Sequence, residues 1–136
     1  MLIGKSTVKY LVDEAKRLNL DGVELLDSIP ESRLSDIYNG VGPDRFPWIL
    51  RVILSICNIC ILPAVLIHDV EFSIGGTEDD FHHANIRLYN NAKTCILDKF
   101  NDSKFLESLG FTKVALFAKL CNIFGRRGWK FTDGRD

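Results

Sequence analysis

Apolar residues recur at helical spacing along most of the chain. Val8, Leu11, Val12, Ala15 and Leu18 share one face, which predicts a first helix over about 7–18 with Ser6 as its cap. Residues 19–27 break that spacing and read as a connection or a poor short helix. Pro30-Glu31 suits a helix start and Asn39-Gly40 a helix stop. Gly40, Gly42, Pro43 and Pro47 make a loop, and a very apolar helix is expected over about 47–60. Pro63 opens another helix that stops at Gly75-Gly76. Thr77, with Asp80 three residues on, forms a capping box for the longest helix, about 78–99. The last helix is expected over about 111–124, followed by a polar, loosely ordered tail over 126–136. No segment shows a convincing strand pattern, so the expected class is all-α.

A length of 136 residues fits one domain, and the chain shows no repeat, low-complexity run or linker, so 1–136 is read as a single domain. Its 46% hydrophobic and 26% charged residues exclude a disordered or fibrous chain. Seventeen basic residues against 18 acidic ones leave a net charge of −1, which argues against nucleic acid as a partner. The uncharged run from Val52 to Ile67 falls short of the roughly 20 apolar residues of a membrane span, so it reads as a core helix. The start of the chain has no signal-peptide pattern. Synthesis in the cytoplasm is therefore expected, with Cys57, Cys60, Cys95 and Cys121 reduced.

Three features could carry chemistry. His68-Asp69 follows the apolar run Ala64-Val65-Leu66-Ile67, where both groups need partners, whether structural or functional. Tyr38-Asn39-Gly40-Val41-Gly42-Pro43 is either a helix stop with a tight turn or a loop whose carbonyls converge on a hard cation. Asn85 lies on the apolar stripe of Phe81, Ala84, Leu88, Ala92, Cys95 and Ile96, so its amide needs a buried partner.

Other constellations are weaker. Cys57-x-x-Cys60 lacks a second pair at zinc spacing. His82 and His83 are adjacent, so they point to different helix faces and read as a surface pair. A His-Asp metal phosphohydrolase needs a histidine upstream of His68, and the chain has none. Arg126, Arg127, Trp129 and Lys130 read as a solvated helix end or as a contact for anionic lipid.

Taken in order, Tyr38-Asn39-Gly40-Val41-Gly42, His68-Asp69-Val70-Glu71-Phe72 and Ala84-Asn85-Ile86-Arg87-Leu88 resemble the motifs of the phospholipase A2 superfamily. Asn39-Gly40, Ile67-His68-Asp69, Asn90-Asn91 and the ending Phe124-Gly125 with Trp129 are similar to small members encoded by phages and prophages. The resemblance spans about residues 36–129. It implies two antiparallel core helices carrying the His-Asp and Ala-Asn motifs, plus accessory helices. It also implies a calcium-dependent acyl-ester hydrolase with His68 as general base on water. Asp69 would ligate Ca²⁺ with the backbone carbonyls of Tyr38, Gly40 and Gly42. The implied partners are a phospholipid or membrane surface, or a phage or host protein.

The chain departs from the family at two linked positions. Asn85 stands where the family has the acid that accepts a proton from the histidine Nδ1, and Phe72 stands where a tyrosine supports that acid. A neutral amide cannot stabilise an imidazolium, and an Asp→Asn change in the serine-protease triad costs about 10⁴ in rate. A long apolar segment also separates Gly42 from His68. The expectation is weakened or lost catalysis, with a role as a virion or host-interaction component. The alternative is an active calcium-dependent hydrolase.

Overall fold

The computed structural model describes residues 5–38, 61–124, 129, 131 and 132. Its elements are α1 (Lys5–Arg17), a short 3-10 helix (Val23–Ser28), α2 (Glu31–Ile37), α3 (Leu62–Ile74), α4 (Glu78–Lys99) and α5 (Lys104–Phe124). Among the described residues the single β feature is an isolated bridge between Gly76 and Phe131, so the class is all-α. None of the described helices is long and apolar enough to cross a membrane. Gly40, Gly42, the helix expected over 47–60, Cys57, Cys60, Arg126, Arg127 and Lys130 lie outside the described residues.

Helix α1 starts at Lys5, so Ser6 falls inside the first turn instead of capping it. Its other end closes with Asn19 in the left-handed conformation, φ 51°. The Asn19 amide donates to the Lys16 carbonyl and the Leu20 amide to the Ala15 carbonyl, the paired bonds of a Schellman stop. Leu20 and Ala15 are both buried there. The connection then crosses the body at Gly22, φ 86°, where a Cβ would meet Arg87 Cδ at 3.0 Å and Ile67 Cγ2 at 3.2 Å. Any side chain at this position would be strained by its backbone and crowded by its neighbours.

Helix α3 is the core element. Every residue from Pro63 to Phe72 is buried, because α1, α2, the 3-10 helix and α4 all pack on it. Gly75, φ 75°, ends it, and Thr77 and Asp80 cap α4 with the reciprocal bonds the sequence predicts. The two helices run antiparallel: Phe72 meets Phe81 near the turn, and His68 meets Asn85 further down.

Helix α5 begins at Lys104, well before the predicted start near 111. Gly110, just before that predicted start, lies inside the helix. It lets α4 come close, since a Cβ there would meet Ile96 Cδ1 at 2.8 Å and Cγ2 at 3.0 Å. The tail also differs from expectation. Trp129 is buried against Phe72 and Phe81, its Nε1 donates to the Gly76 carbonyl at 3.1 Å, and Phe131 stacks beside Phe81. With its ring buried in this cluster, Trp129 is withdrawn from the lipid contact that the basic-aromatic reading allowed. Aromatic burial of this kind outweighs the entropy of a few tail residues.

Gly110→Ala should lower stability by about 1 kcal/mol, despite alanine's better helix propensity, because Ile96 is packed against that spot. Urea denaturation of the single variant and of Gly110→Ala with Ile96→Val checks this. The double variant should lose less than the sum of the two single losses. A stabilised Gly110→Ala would show that the helices do not meet this closely.

Candidate functional site

The buried polar groups of α3 define the site. His68 is 4% exposed and its Nε2 lies 2.8 Å from Asn85 Oδ1. Asn85 Nδ2 in turn donates to Asn122 Oδ1 on α5 at 2.9 Å. With the Asn85 nitrogen committed to Asn122, its oxygen faces His68 and accepts the Nε2 proton. This corrects the expected geometry in one respect: Nε2, not Nδ1, bonds residue 85, which leaves Nδ1 as the basic nitrogen. Phe72, one turn on, places its ring 4.4 Å from the imidazole, and Trp129 meets the Phe72 ring edge-on at 5.1 Å.

Burial is the main influence on His68. It lowers the imidazole pKa to about 4, and the hydrogen bond that His68 makes to Asn85 is the smaller influence and pulls the other way. The side chain is therefore neutral at neutral pH. A charged acid at position 85 would push strongly upward, and the neutral amide does not.

Asp69 is 8% exposed, and its carboxylate adds to the burial that raises both the Tyr38 phenol and the Cys121 thiol. Tyr38 caps the C-terminus of α2, and its buried hydroxyl has no hydrogen-bond partner among the described residues. Asp69 thus lies within electrostatic reach of Tyr38, while Gly40 and Gly42 lie outside the described residues. Among the described residues no group of three or more His, Cys, Asp or Glu side chains is placed to hold a metal. A set built from one carboxylate and backbone carbonyls does not need such a group, and Asp69 with Tyr38 fits its oxygen-donor chemistry.

A second polar cluster was not singled out from sequence. Glu71 is buried and accepts from Arg87 Nη1 at 2.6 Å, while Arg87 Nε donates to Asp21 at 2.9 Å. Burial dominates and raises Glu71 to about 7. Arg87 opposes it, but Arg87 is shared with Asp21, and Asp21 and Glu24 add negative charge. Asn91 accepts from the Asp21 amide and donates to its carbonyl, both at 2.8 Å, as a neighbouring strand would. Two signals were available in the sequence. Glu71 is a charge inside an apolar helix, and Asn122 sits between Cys121 and Ile123. His82 and His83 are exposed, as the sequence predicts, and His82 lies 3.7 Å from Glu78.

His68 and Glu71 give opposite pH dependences. On folding the His68 pKa falls from 6.5 to about 4, so its stabilising contribution is complete above pH 6.5 and lost as pH drops toward 4. Glu71 rises from 4.5 to about 7, so its contribution is complete below pH 4.5 and lost as pH climbs through 7. Each gap corresponds to about 3 kcal/mol. The native chain should therefore hold a nearly constant denaturation midpoint between these limits. Glu71→Gln should unmask a fall in midpoint with acidification over the same window. A flat profile for that variant would show that His68 does not stay neutral on folding.

No family model, curated protein or solved structure matches the chain, and the chemistry of the site rests on these residues alone.

Proposed function

We propose that the chain is a phospholipase A2-like protein of phage or prophage origin, with weakened hydrolytic chemistry, that serves as a virion or host-interaction component. One observation carries this reading: the partner of His68 is the neutral Asn85, at 2.8 Å, on the adjacent antiparallel helix. The helix pair and the position of His68 agree with a hydrolase scaffold. The missing charge agrees with a loss of catalytic power.

The roles follow from the contacts. His68 Nδ1 is the nitrogen that could take a proton from water, since Nε2 already donates to Asn85. An imidazole with a pKa of about 4 accepts a proton poorly at neutral pH, and among the described residues no charged group acts on it to stabilise the imidazolium. Phe72 packs on the ring and offers no hydroxyl to residue 85. Asp69, with the carbonyls of Tyr38, Gly40 and Gly42, would hold Ca²⁺, which when bound polarises an ester carbonyl and offsets charge on its oxygen.

Asn85→Asp tests the reading directly. The Asn122 amide can turn its nitrogen toward the new carboxylate, so the site keeps a full set of hydrogen bonds. Fatty-acid release from phospholipid vesicles in millimolar Ca²⁺ is the assay. The native chain should barely exceed His68→Ala. Asn85→Asp should raise the rate at least ~10-fold, and adding Phe72→Tyr should raise it further. A native rate near the ordinary enzyme median of about 10 s⁻¹, abolished in His68→Ala, would instead establish an active hydrolase.

A further inference from the structure

We infer that Asn122, at the surface of α5, is a positioning residue of the site: through Asn85 it selects which nitrogen of His68 carries the proton. The role rests on reading His68 as the base. Asn85 is 1% exposed, and among the described residues its side chain meets His68 Nε2 at 2.8 Å on one side and Asn122 Oδ1 at 2.9 Å on the other. A carboxylate at position 85 would accept from both sides, so a histidine beside it could only donate. An amide has a donor end and an acceptor end, and it can satisfy a neutral imidazole either way round. The partner on its far side therefore decides the choice.

The two polarities of this line differ in what they leave to His68. In the one the structure shows, Asn122 accepts from Asn85, Asn85 accepts the Nε2 proton, and Nδ1 keeps its lone pair. In the reverse, Asn122 donates to Asn85 Oδ1, Asn85 Nδ2 donates to Nε2, and the ring proton sits on Nδ1. Nε2 is then engaged as an acceptor and Nδ1 is protonated, so no lone pair remains for a proton from water. Both arrangements contain the same number of hydrogen bonds and no charge, because His68 is neutral at neutral pH. Burial by itself does not choose between them. His68 and Asn85 are buried and Asn122 is exposed, so residue 122 is the member of the line whose donor or acceptor character can be set from the surface.

The test reads the tautomer of His68 in the full chain. The sequence has three histidines, and His82→Gln with His83→Gln, both at exposed positions, leaves His68 as the single reporter. Long-range proton–nitrogen correlation spectra of the labelled imidazole, at mildly alkaline pH, show which nitrogen holds the proton. With Asn122 in place the proton should be on Nε2. Asn122→Asp, which only accepts, should keep it there. Asn122→Lys, which only donates, should shift the tautomer ratio toward Nδ1–H by at least ~5-fold, the worth of about one net hydrogen bond. In the Asn85→Asp background, Asn122→Lys should leave the proton on Nε2, because a carboxylate has no donor end to turn. Position 122 is exposed, and far-UV circular dichroism verifies that each variant folds. A merely structural role would not make the tautomer follow the hydrogen-bonding sense of residue 122. Three outcomes would overturn the inference: a proton on Nδ1 with Asn122 in place, the same tautomer with Asp and Lys at 122, or a shift by Lys that persists with Asp at 85. Hydrolysis is measured separately. A tautomer that follows residue 122 in a chain that releases no fatty acid even as Asn85→Asp would end the functional reading and leave the role of Asn122 standing.

Discussion

The structure depends on how α3 satisfies the polar groups it buries. Ten consecutive residues of this helix are out of water, and among them are His68, Asp69 and Glu71. An unpaired polar group in such a place costs about 1–3 kcal/mol, and an unpaired charge more. Each neighbour therefore has to present a partner at the right height. Helix α4 supplies Asn85 to His68 and Arg87 to Glu71, and these two partners lie half a turn apart. A slide or rotation of α4 by one residue would break both contacts at once. The apolar surfaces drive the helices together, and the polar pairs select one register from the many that apolar contact would tolerate.

The same requirement extends outward. Arg87 reaches past Glu71 to Asp21, and Asn91 takes up both backbone groups of that residue. The chain between α1 and the 3-10 helix is thereby fastened to α4, with Gly22 providing the space to pass. Asn122 fastens α5 through Asn85. At the other end of the α3–α4 pair the fastening is aromatic. Phe72, Phe81, Trp129 and Phe131 close over the turn, and the Gly76 carbonyl receives both the Trp129 indole and the Thr132 amide. Phe72 belongs to both regions, since its ring lies against His68 on one side and Trp129 on the other.

Local signals in the sequence located most elements, because Pro63, Gly75 and the Thr77–Asp80 box act through their own backbone. The errors came from long-range contacts. Gly110 carries the local mark of a helix boundary, and only the proximity of Ile96 explains a glycine within α5. The polar composition of the tail pointed to disorder, and only the hole between Phe72 and Phe81 explains why Trp129 is held. At the site, the spacing of Asn85 from Phe81 and Leu88 was enough to place it on the buried face. The ring nitrogen that it meets was not legible, because the rotamer of His68 depends on Phe72 and Trp129 packing around it. The Glu71–Arg87–Asp21 chain was hidden for a similar reason, as its members come from three separate elements.

On the proposed reading, Phe72 and Asn85 belong together. An acid at position 85, which is 1% exposed, would carry a charge into the seam between α3 and α4. In an active hydrolase that charge is useful, because it stabilises the imidazolium formed during the reaction, and a tyrosine hydroxyl helps to offset its burial. With asparagine the whole line from His68 through Asn85 to Asn122 is neutral, and every group in it is hydrogen-bonded without any buried ion. A tyrosine hydroxyl then has no charge to support and would have to be desolvated beside Trp129, where phenylalanine packs at no such cost. With no charge at 85, phenylalanine at 72 packs on the histidine without a hydroxyl to desolvate, so the two residues suit each other. On the proposed reading, transition-state stabilisation is given up for stability of the fold.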